Sequence, residues 1–219
     1  MKTNEQLQKD VQDAIKWEPL LNAAEIGVTA KDGVVTLTGV MNSYSKKIEA
    51  ENAAKSVAGV KAVAETIEIN FGSSYNKNDT EIANEVVNAF KWNWEVPSDK
   101  LKVKVENGYV TLEGEVEWNF QREAAKKAVA NLTGVIGVEN NIRIKSDTID
   151  EIEKKDIECA FDRNWSMDDN EIHIKVSGNR VTLTGMVNSI YQRDEAERIA
   201  WNAPGVCSMD NQLVVGYDN

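Results

Sequence analysis

The chain has 219 residues, of which 42% are hydrophobic, 28% are charged and only 3 are proline, a composition typical of a globular protein. Its formal net charge is −11, which argues against nucleic acid as a partner because affinity for phosphates depends largely on Lys and Arg. The same charge argues against simple electrostatic attraction to anionic lipid. No apolar run approaches the roughly 20 residues that cross a bilayer, so no transmembrane segment is predicted.

The start of the chain is charged and does not look like a targeting signal. Residues 1–7 contain no apolar stretch and no small-residue cleavage site, so a cytoplasmic location is expected for the sequence as written. A periplasmic location is expected instead if the sequence is a trimmed mature form. Cys159 and Cys207 form no C-x-x-C pair, and we expect both to be reduced thiols.

The sequence repeats three times. Segments 32–39, 107–114 and 178–185 share a turn, a Val-Thr-Leu core and a closing glycine, and a Gly-Val pair follows 20 residues after each closing glycine. Repeats at a constant spacing indicate repeated structural units. We therefore divide the chain into module 1 (1–72), module 2 (73–146) and module 3 (147–219). The glycines that define the motif are Gly33, Gly39, Gly59, Gly108, Gly114, Gly134, Gly178, Gly185 and Gly205.

Each module is predicted to begin with an amphipathic helix, because apolar residues recur at three- and four-residue spacing. Asp79 and Asp147 stand just ahead of the second and third of these helices, where a short acceptor can cap free backbone amides. The helices are predicted near residues 5–17, 79–92 and 149–163.

A two-stranded hairpin is predicted next. Asp32-Gly33 and Asn107-Gly108 are preferred pairs for type I′ turns, in which both central residues need a positive φ. Gly178-Asn179 takes the same place in module 3. The strands that lead into these turns alternate apolar and polar residues, which is the pattern of a strand with one buried face.

A second, alanine-rich helix and a last strand complete each module. The helices are expected to begin near Ser45, Gln121 and Gln192 and to end before the Gly-Val pairs, since glycine commonly ends helices. Each module should therefore be an α+β unit of order αββαβ, with a three-stranded mixed sheet and two helices on one face.

This order of elements resembles the BON domain (bacterial OsmY and nodulation domain), in three tandem copies as in the OsmY-like members. The resemblance includes a basic residue in the second helix, followed three residues later by alanine. It implies a bacterial, non-enzymatic protein without a cofactor, which attaches to phospholipid membranes or acts in envelope and osmotic stress. The matching positions are Lys47 with Ala50, Arg122 with Ala125, and Arg193 with Ala196.

Few residues suggest catalysis or metal binding. His173, the only histidine, lies between Ile172 and Ile174, so strand alternation places it on the open face of the sheet. The acidic segment 168–171 offers oxygens to Ca²⁺ but lacks the spacing and central glycine of a dedicated loop, which favours a solvated turn. We predict no catalytic residue and no metal site.

The tryptophans form two groups. An aromatic residue that recurs at one place in a repeat is typical of packing, so we expect the tryptophans after the first helices to pack. Trp118 and Trp201 align with Ser, Lys or Ala in the other modules, which predicts exposed docking residues for a membrane, a ligand or a neighbouring module. Burial between modules is the alternative for these two. The first group comprises Trp17, Trp92, Trp94 and Trp165.

Charge also differs between the modules, with net values of −2, −1 and −8 from module 1 to module 3. The open sheet face of module 2 is predicted to carry a basic strip, and we expect these opposed charges to help orient modules within or between chains. Three lysines of the strip are candidate docking residues. They are Lys102, Lys104 and Lys145.

Two functions follow from the sequence. The first is a non-enzymatic, stress-related protein that associates with phospholipid membranes, and it depends mainly on the family resemblance. The alternative is a cytoplasmic protein-interaction scaffold, or a sensor of a small ligand or ion, without membrane binding. The net charge of −11 favours the alternative.

Overall fold

The computed structural model describes residues 2–72, 77–145, 154–164 and 172–216. The α-helices in these ranges are α1 (Asn4–Trp17), α2 (Tyr44–Ser56), α3 (Asp79–Trp92), α4 (Asn119–Ala130), α5 (Lys154–Asp162) and α6 (Ile190–Trp201). The strands are β1 (Ile26–Lys31), β2 (Val34–Met41), β3 (Ala62–Ile69), β4 (Leu101–Glu106), β5 (Tyr109–Val116), β6 (Gly137–Ile144), β7 (Ile172–Ser177), β8 (Arg180–Val187) and β9 (Ser208–Val215).

The strands form three separate three-stranded sheets, one in each module, with the second strand of the hairpin in the middle. The hairpin strands pair antiparallel in every module. The last strand pairs parallel with the middle strand in modules 2 and 3. A parallel pair needs a crossover connection, and the second helix of the module supplies it.

Both helices of module 2 cover the same face of its sheet. Helix α3 packs against β4, α4 packs against β6, and the two helices contact each other. Side chains alternate along β5, with Val110 and Leu112 buried under the helices and Glu113 and Glu115 exposed on the other face. The predicted α+β fold of tandem αββαβ modules is confirmed.

The hairpin turns follow the sequence prediction in two modules and differ in the third. Asp32 and Asn107 have φ values of 52° and 51°, and the glycine after each also has a positive φ, as a type I′ turn requires. In module 3 only Gly178 has a positive φ, which is the pattern of a type II′ turn. The reversed order Gly178-Asn179 explains the difference, because the glycine now occupies the first central position.

The motif glycines share one backbone property, since all nine have a positive φ. Gly114 shows a second reason why glycine is needed, which is the lack of space for a side chain. It pairs with Leu101 across the hairpin, and a β-carbon there would collide with the carbonyl oxygen of Lys100. Gly39 meets the carbonyl oxygen of Glu25 in the same way. In modules 1 and 2 the closing glycine of the motif is therefore required by close backbone approach.

The start of α3 corrects one prediction. Asn78, not Asp79, caps the helix, because the Asn78 side chain accepts a hydrogen bond of 3.0 Å from the backbone amide of Glu81. Asp79 is the first residue of the helix and binds the hairpin turn instead. The other predicted cap, Asp147, lies outside the described residues, as does residue 149, where the third module's first helix was expected to begin. The second helices begin one or two residues earlier than predicted.

The chain divides into two compact units. One contains residues 1–40, 48–68 and 150–219, and therefore most of module 1 together with module 3. The other contains residues 41–47 and 69–149, and therefore module 2. In the first unit the ammonium group of Lys55 in α2 lies 3.8 Å from the Asp194 carboxylate in α6, so the two modules contact each other.

Candidate functional site

Module 2 has two distinct ends, and the first is fixed by the hairpin turn. The Asp79 carboxylate accepts hydrogen bonds from the amides of Asn107 at 2.7 Å and Gly108 at 2.9 Å, which places the start of α3 at the turn. Helix α3 has 14 residues and therefore extends roughly 20 Å away from the turn. Strand β5 leaves the same turn and has 8 residues, so it extends about 25 Å.

The far ends of α3 and β5 meet at the opposite end of the module. The Lys100 ammonium group, at the end of the loop that follows α3, lies 2.8 Å from the Glu117 carboxylate, just after β5. The amide of Lys145, just after β6, donates to the carbonyl of Val116 at 2.8 Å. Four aromatic side chains belong to this region, which we call the aromatic end of module 2. They are Trp92, Trp94, Trp118 and Phe120.

All four side chains of the aromatic end are exposed. Trp92 is 89% exposed, Trp94 is 88% exposed, and Phe120 and Trp118 are also exposed, the latter at 38%. The prediction of an exposed Trp118 is confirmed, whereas the prediction that Trp92 and Trp94 pack is wrong. Phe120 was not singled out from the sequence. Several exposed aromatic side chains at one end of a module make that end a candidate interaction site.

Helical geometry explains the exposure of Trp92. The buried stripe of α3 ends at Phe90, with Val86 one turn before it. Successive residues of an α-helix are rotated by about 100°, so a residue two positions after Phe90 lies on the opposite side of the helix. The offset from the buried stripe is visible in the sequence, and it is the signal by which Trp92 could have been assigned correctly.

Module 1 repeats this arrangement at the end of α1. Ile15 is buried, and Trp17, two positions later, is 88% exposed. Leu20 in the following turn is exposed as well. The start of α1 is again held at the hairpin turn, where the Asn4 side chain accepts from the amide of Asp32 at 2.9 Å. The expectation that Trp17 packs is therefore wrong, and Trp165 of module 3 lies outside the described residues.

Trp201 differs from the other tryptophans. It is half-buried and packs against the core of module 3, whose largest members include Phe161 and Leu183. Its indole nitrogen donates to the Glu197 carboxylate at 3.3 Å. Trp201 is therefore less exposed than the sequence predicted, and it packs against the core of its own module.

The predicted basic strip of module 2 is exposed but not uniformly basic. Lys102 lies opposite Glu113 in the β4–β5 pair. The Lys104 ammonium group lies 2.8 Å from the Glu106 carboxylate, and this hydrogen bond raises the pKa of Lys104. Lys145 lies 3.5 Å from the carboxylate of Glu115. The open sheet face therefore carries interleaved charges of both signs.

Module 3 contains a charged cluster between its helices. The Arg198 guanidinium donates to the Glu195 carboxylate at 2.5 and 2.7 Å, and the Asn164 amide, just after α5, donates to the same carboxylate at 3.1 Å. The hydrogen bond from Arg198 lowers the pKa of Glu195 below its ordinary value, and it raises that of Arg198. This cluster links α5 to α6.

The unit that contains modules 1 and 3 has a cavity of about 650 Å³, which falls in the range of small-molecule pockets. The start of α1, the hairpin turn of module 1 and the loop before β3 form most of its wall, and module 3 contributes two residues. The lining includes Leu7, Gly33, Lys61, Asn188 and Gly216.

Other features indicate little chemistry. His173 is exposed on the open sheet face, as predicted. The acidic segment 168–171 lies outside the described residues. Among the residues that are described, no three His, Cys, Asp or Glu side chains are grouped so as to hold a metal ion. Within the same ranges, no helix combines the length and apolarity needed to cross a membrane.

The fold and the repeated motif define a chain of tandem αββαβ modules with exposed aromatic side chains. The family model of the BON domain matches residues 3–70, 78–146 and 150–217, so the chain belongs to the BON domain family in three tandem copies. The osmotically-inducible protein Y of Escherichia coli (strain K12) is 28% identical over 129 residues. That alignment covers 57% of this chain and 64% of the relative, less than two thirds of the relative's length.

Two solved structures also align with the chain. Both are of CdsD, a structural protein of the type III secretion system of Chlamydia trachomatis, and one is of its C-terminal domain. The alignments cover 94% and 99% of this chain and 90% and 100% of the CdsD chains. Their sequence identities are 15% and 16%, and the TM-score is 0.27 in both cases.

Proposed function

We propose that this chain is a non-enzymatic binding protein that associates with the surface of phospholipid membranes during osmotic stress. The observation that carries the proposal is the exposure of the aromatic end of module 2, together with Trp17 and Leu20 of module 1. Membership of the BON domain family and the name of the relative, an osmotically-inducible protein, support the stress-related part.

The chemistry of tryptophan supports a lipid surface as the partner. An indole has an apolar body and one polar N–H group, so it is most stable where hydrocarbon meets water. Trp92 and Trp94 bury almost none of their surface in the protein and therefore lose little packing when they enter an interface. Lys100 and Lys145 lie at the same end of the module. A lysine at the edge of an apolar surface can extend its ammonium group toward lipid phosphates.

Vesicle flotation tests the proposal. The full chain should float with phosphatidylcholine vesicles, and the double variant Trp92→Ser/Trp94→Ser should lose most of the bound fraction. Tyr109→Ser is the matched control, because Tyr109 is an exposed aromatic residue at the hairpin end of the same module. The proposal fails if the wild type floats with neither neutral nor anionic vesicles.

Four of the five docking residues predicted from the sequence remain part of the proposal, and Trp201, which packs against the core of module 3, does not. Trp118 and Lys145 belong to the proposed docking surface, and Trp118→Ala should weaken flotation. Lys102 and Lys104 lie on the open sheet face, where they suit a protein partner as well as a headgroup. Reversal of Lys102, Lys104 and Lys145 to Glu should change the oligomeric state if opposed charges orient the modules. An unchanged oligomeric state would contradict the hypothesis that opposed charges orient the modules.

The second candidate function is a small-ligand sensor or interaction scaffold, and the cavity of about 650 Å³ in the unit of modules 1 and 3 favours it. Lys2 and Lys61 line this cavity together with Asp32, so an anionic molecule bound there would face two ammonium groups and one carboxylate. Calorimetric titration with inorganic phosphate, on the wild type and on Lys61→Ala, tests this candidate. Equal heats from both proteins would count against it.

A further inference from the structure

The uneven charge of the chain has a consequence for lipid binding. Module 3 carries a net charge of −8, and modules 1 and 2 carry −2 and −1. The candidate docking side chains belong to modules 1 and 2. The module with the strongest charge is therefore not one of the modules that carry Trp17, Trp92 and Trp94, the three most exposed aromatic side chains of the described residues.

The described part of module 3 shows where some of this charge lies. Asp156, Glu158 and Asp162 are all exposed on α5. Of the three, Glu158 has an ion pair, since the Lys154 ammonium group lies 2.8 Å from its carboxylate. Exposed carboxylates of this kind are repelled by an anionic lipid surface.

We propose that salt promotes the association of this protein with anionic membranes. The proposal rests on the lipid-binding function argued above and adds how that binding is regulated. The aromatic end supplies apolar attraction, which is not screened by salt. The charge of module 3 supplies repulsion, which is screened. Rising ionic strength weakens this repulsion. It also screens any attraction from Lys100 and Lys145, but that attraction is small because each ammonium group lies beside a carboxylate, so the net effect of salt favours binding.

The range of the repulsion decides the salt range in which binding should respond. The Debye length is about 30 Å at 0.01 M salt and about 10 Å at 0.1 M. A module of this size is roughly 20–30 Å across. A charge that lies one module's width from an anionic surface therefore acts on that surface at about 0.01 M salt and is largely screened above about 0.1 M. This dependence is the reverse of that of a protein that binds through a basic patch.

Flotation at constant osmolarity tests the proposal. Salt is raised from about 0.01 M to about 0.5 M while sucrose keeps the osmolarity fixed, so that only screening changes. The probes are vesicles of phosphatidylcholine alone and vesicles with about one third phosphatidylglycerol. We expect binding to the anionic vesicles to rise by about fivefold or more, the effect of one charge near the surface. Binding to the neutral vesicles should stay constant.

A triple variant tests the source of the repulsion. Asp156→Asn, Glu158→Gln and Asp162→Asn remove three negative charges from module 3, so binding to anionic vesicles at low salt should increase several-fold. The matched control exchanges the same acids without loss of charge, as Asp156→Glu, Glu158→Asp and Asp162→Glu, and should behave as the wild type. Circular dichroism checks that both variants are folded.

The outcomes separate the two proposals. Wild-type binding to anionic vesicles that falls or stays constant with salt overturns the regulation and leaves the lipid-binding function standing. A triple variant that matches the charge-preserving control also overturns it. Failure of the wild type to bind either kind of vesicle at any salt concentration overturns the lipid-binding function, and the regulation with it.

Discussion

The carboxylate of Asp79 accepts a 2.7 Å hydrogen bond from the backbone amide of Asn107, and so holds the first helix of module 2 against the hairpin turn. The second oxygen of the Asp79 carboxylate accepts a hydrogen bond from the backbone amide of Gly108. Module 1 makes the corresponding contact with a neutral side chain, since Asn4 accepts a single bond from Asp32. The contact between the start of the helix and the turn is therefore shared, but it is stronger in module 2.

Replacement of Asp79 should destabilise module 2. Asp79→Ala leaves two turn amides without their acceptor, and hydrogen bonds to charged groups contribute about 1.5–3 kcal/mol, so we expect a loss of roughly 2 kcal/mol. Asp79→Asn should lose less, because it imitates the contact of module 1. Urea unfolding followed by far-UV circular dichroism measures both. Asp99→Asn, at an exposed aspartate of the same module, should change little.

Gly114→Ala should destabilise module 2 for two reasons. A positive φ costs a non-glycine residue about 1–2 kcal/mol, and the new β-carbon would also meet the carbonyl oxygen of Lys100. Gly178→Ala shows the cost of a positive φ alone, because no atom lies within 4 Å of the added carbon, although its φ is 58° and that of Gly114 is 139°. Thermal unfolding should show a larger loss for Gly114→Ala. Equal losses would mean that the close approach is unimportant.

The tryptophans should differ in their contribution to stability. Trp201 packs against the core of module 3, so Trp201→Ala should cost roughly 2–3 kcal/mol. Trp92→Ala removes a side chain that is 89% exposed and should change the free energy of unfolding by less than about 0.5 kcal/mol. Urea unfolding of the two variants provides the comparison. A large loss for Trp92→Ala would show that its side chain is buried in solution.

Glu195 should make module 3 sensitive to acid. Its pKa is lowered in the folded chain, so it contributes stability above the ordinary carboxyl pKa of about 4.3, and that stability is lost as the pH falls through the folded value. The loss should be about 1 kcal/mol, because the Arg198 side chain is more than half exposed and solvent weakens the pair.

Comparison of unfolding at pH 7 and below pH 4 tests this expectation. Glu195→Gln should lose stability at pH 7 and should show a smaller difference between the two pH values than the wild type. Glu158→Gln is the control, because Glu158 also pairs with a basic residue but is more exposed. If both variants keep the acid sensitivity of the wild type, Glu195 is not its cause.

Most of the fold could be predicted because local signals repeat three times. The pair Asn107-Gly108 specifies its turn through backbone conformation alone. The apolar stripe of α3 likewise follows from helical periodicity. These signals depend on residues close together in the sequence. A pattern that occurs in all three modules is also unlikely to arise by chance.

The candidate site was harder to predict. Whether a tryptophan is exposed depends on the side of the helix on which it lies, and its recurrence in the repeat does not reveal that side. Trp17 and Trp92 recur, which suggested packing, but both lie two residues beyond the last buried residue of a helix. Trp201 was expected to be exposed, since Lys55 occupies its position in module 1. A lysine can lay its carbon chain along an apolar surface, so alignment with lysine does not establish an exposed position.

The exposure of Trp17, Trp92 and Trp94 determines what the intrinsic fluorescence of this protein reports. Three of its six indoles already meet water in the folded chain, so their emission should be red-shifted before any unfolding begins. The spectrum should change little when urea exposes the rest of the chain. It should shift to the blue when those side chains enter an apolar environment, which makes the fluorescence a reporter of docking more than of folding.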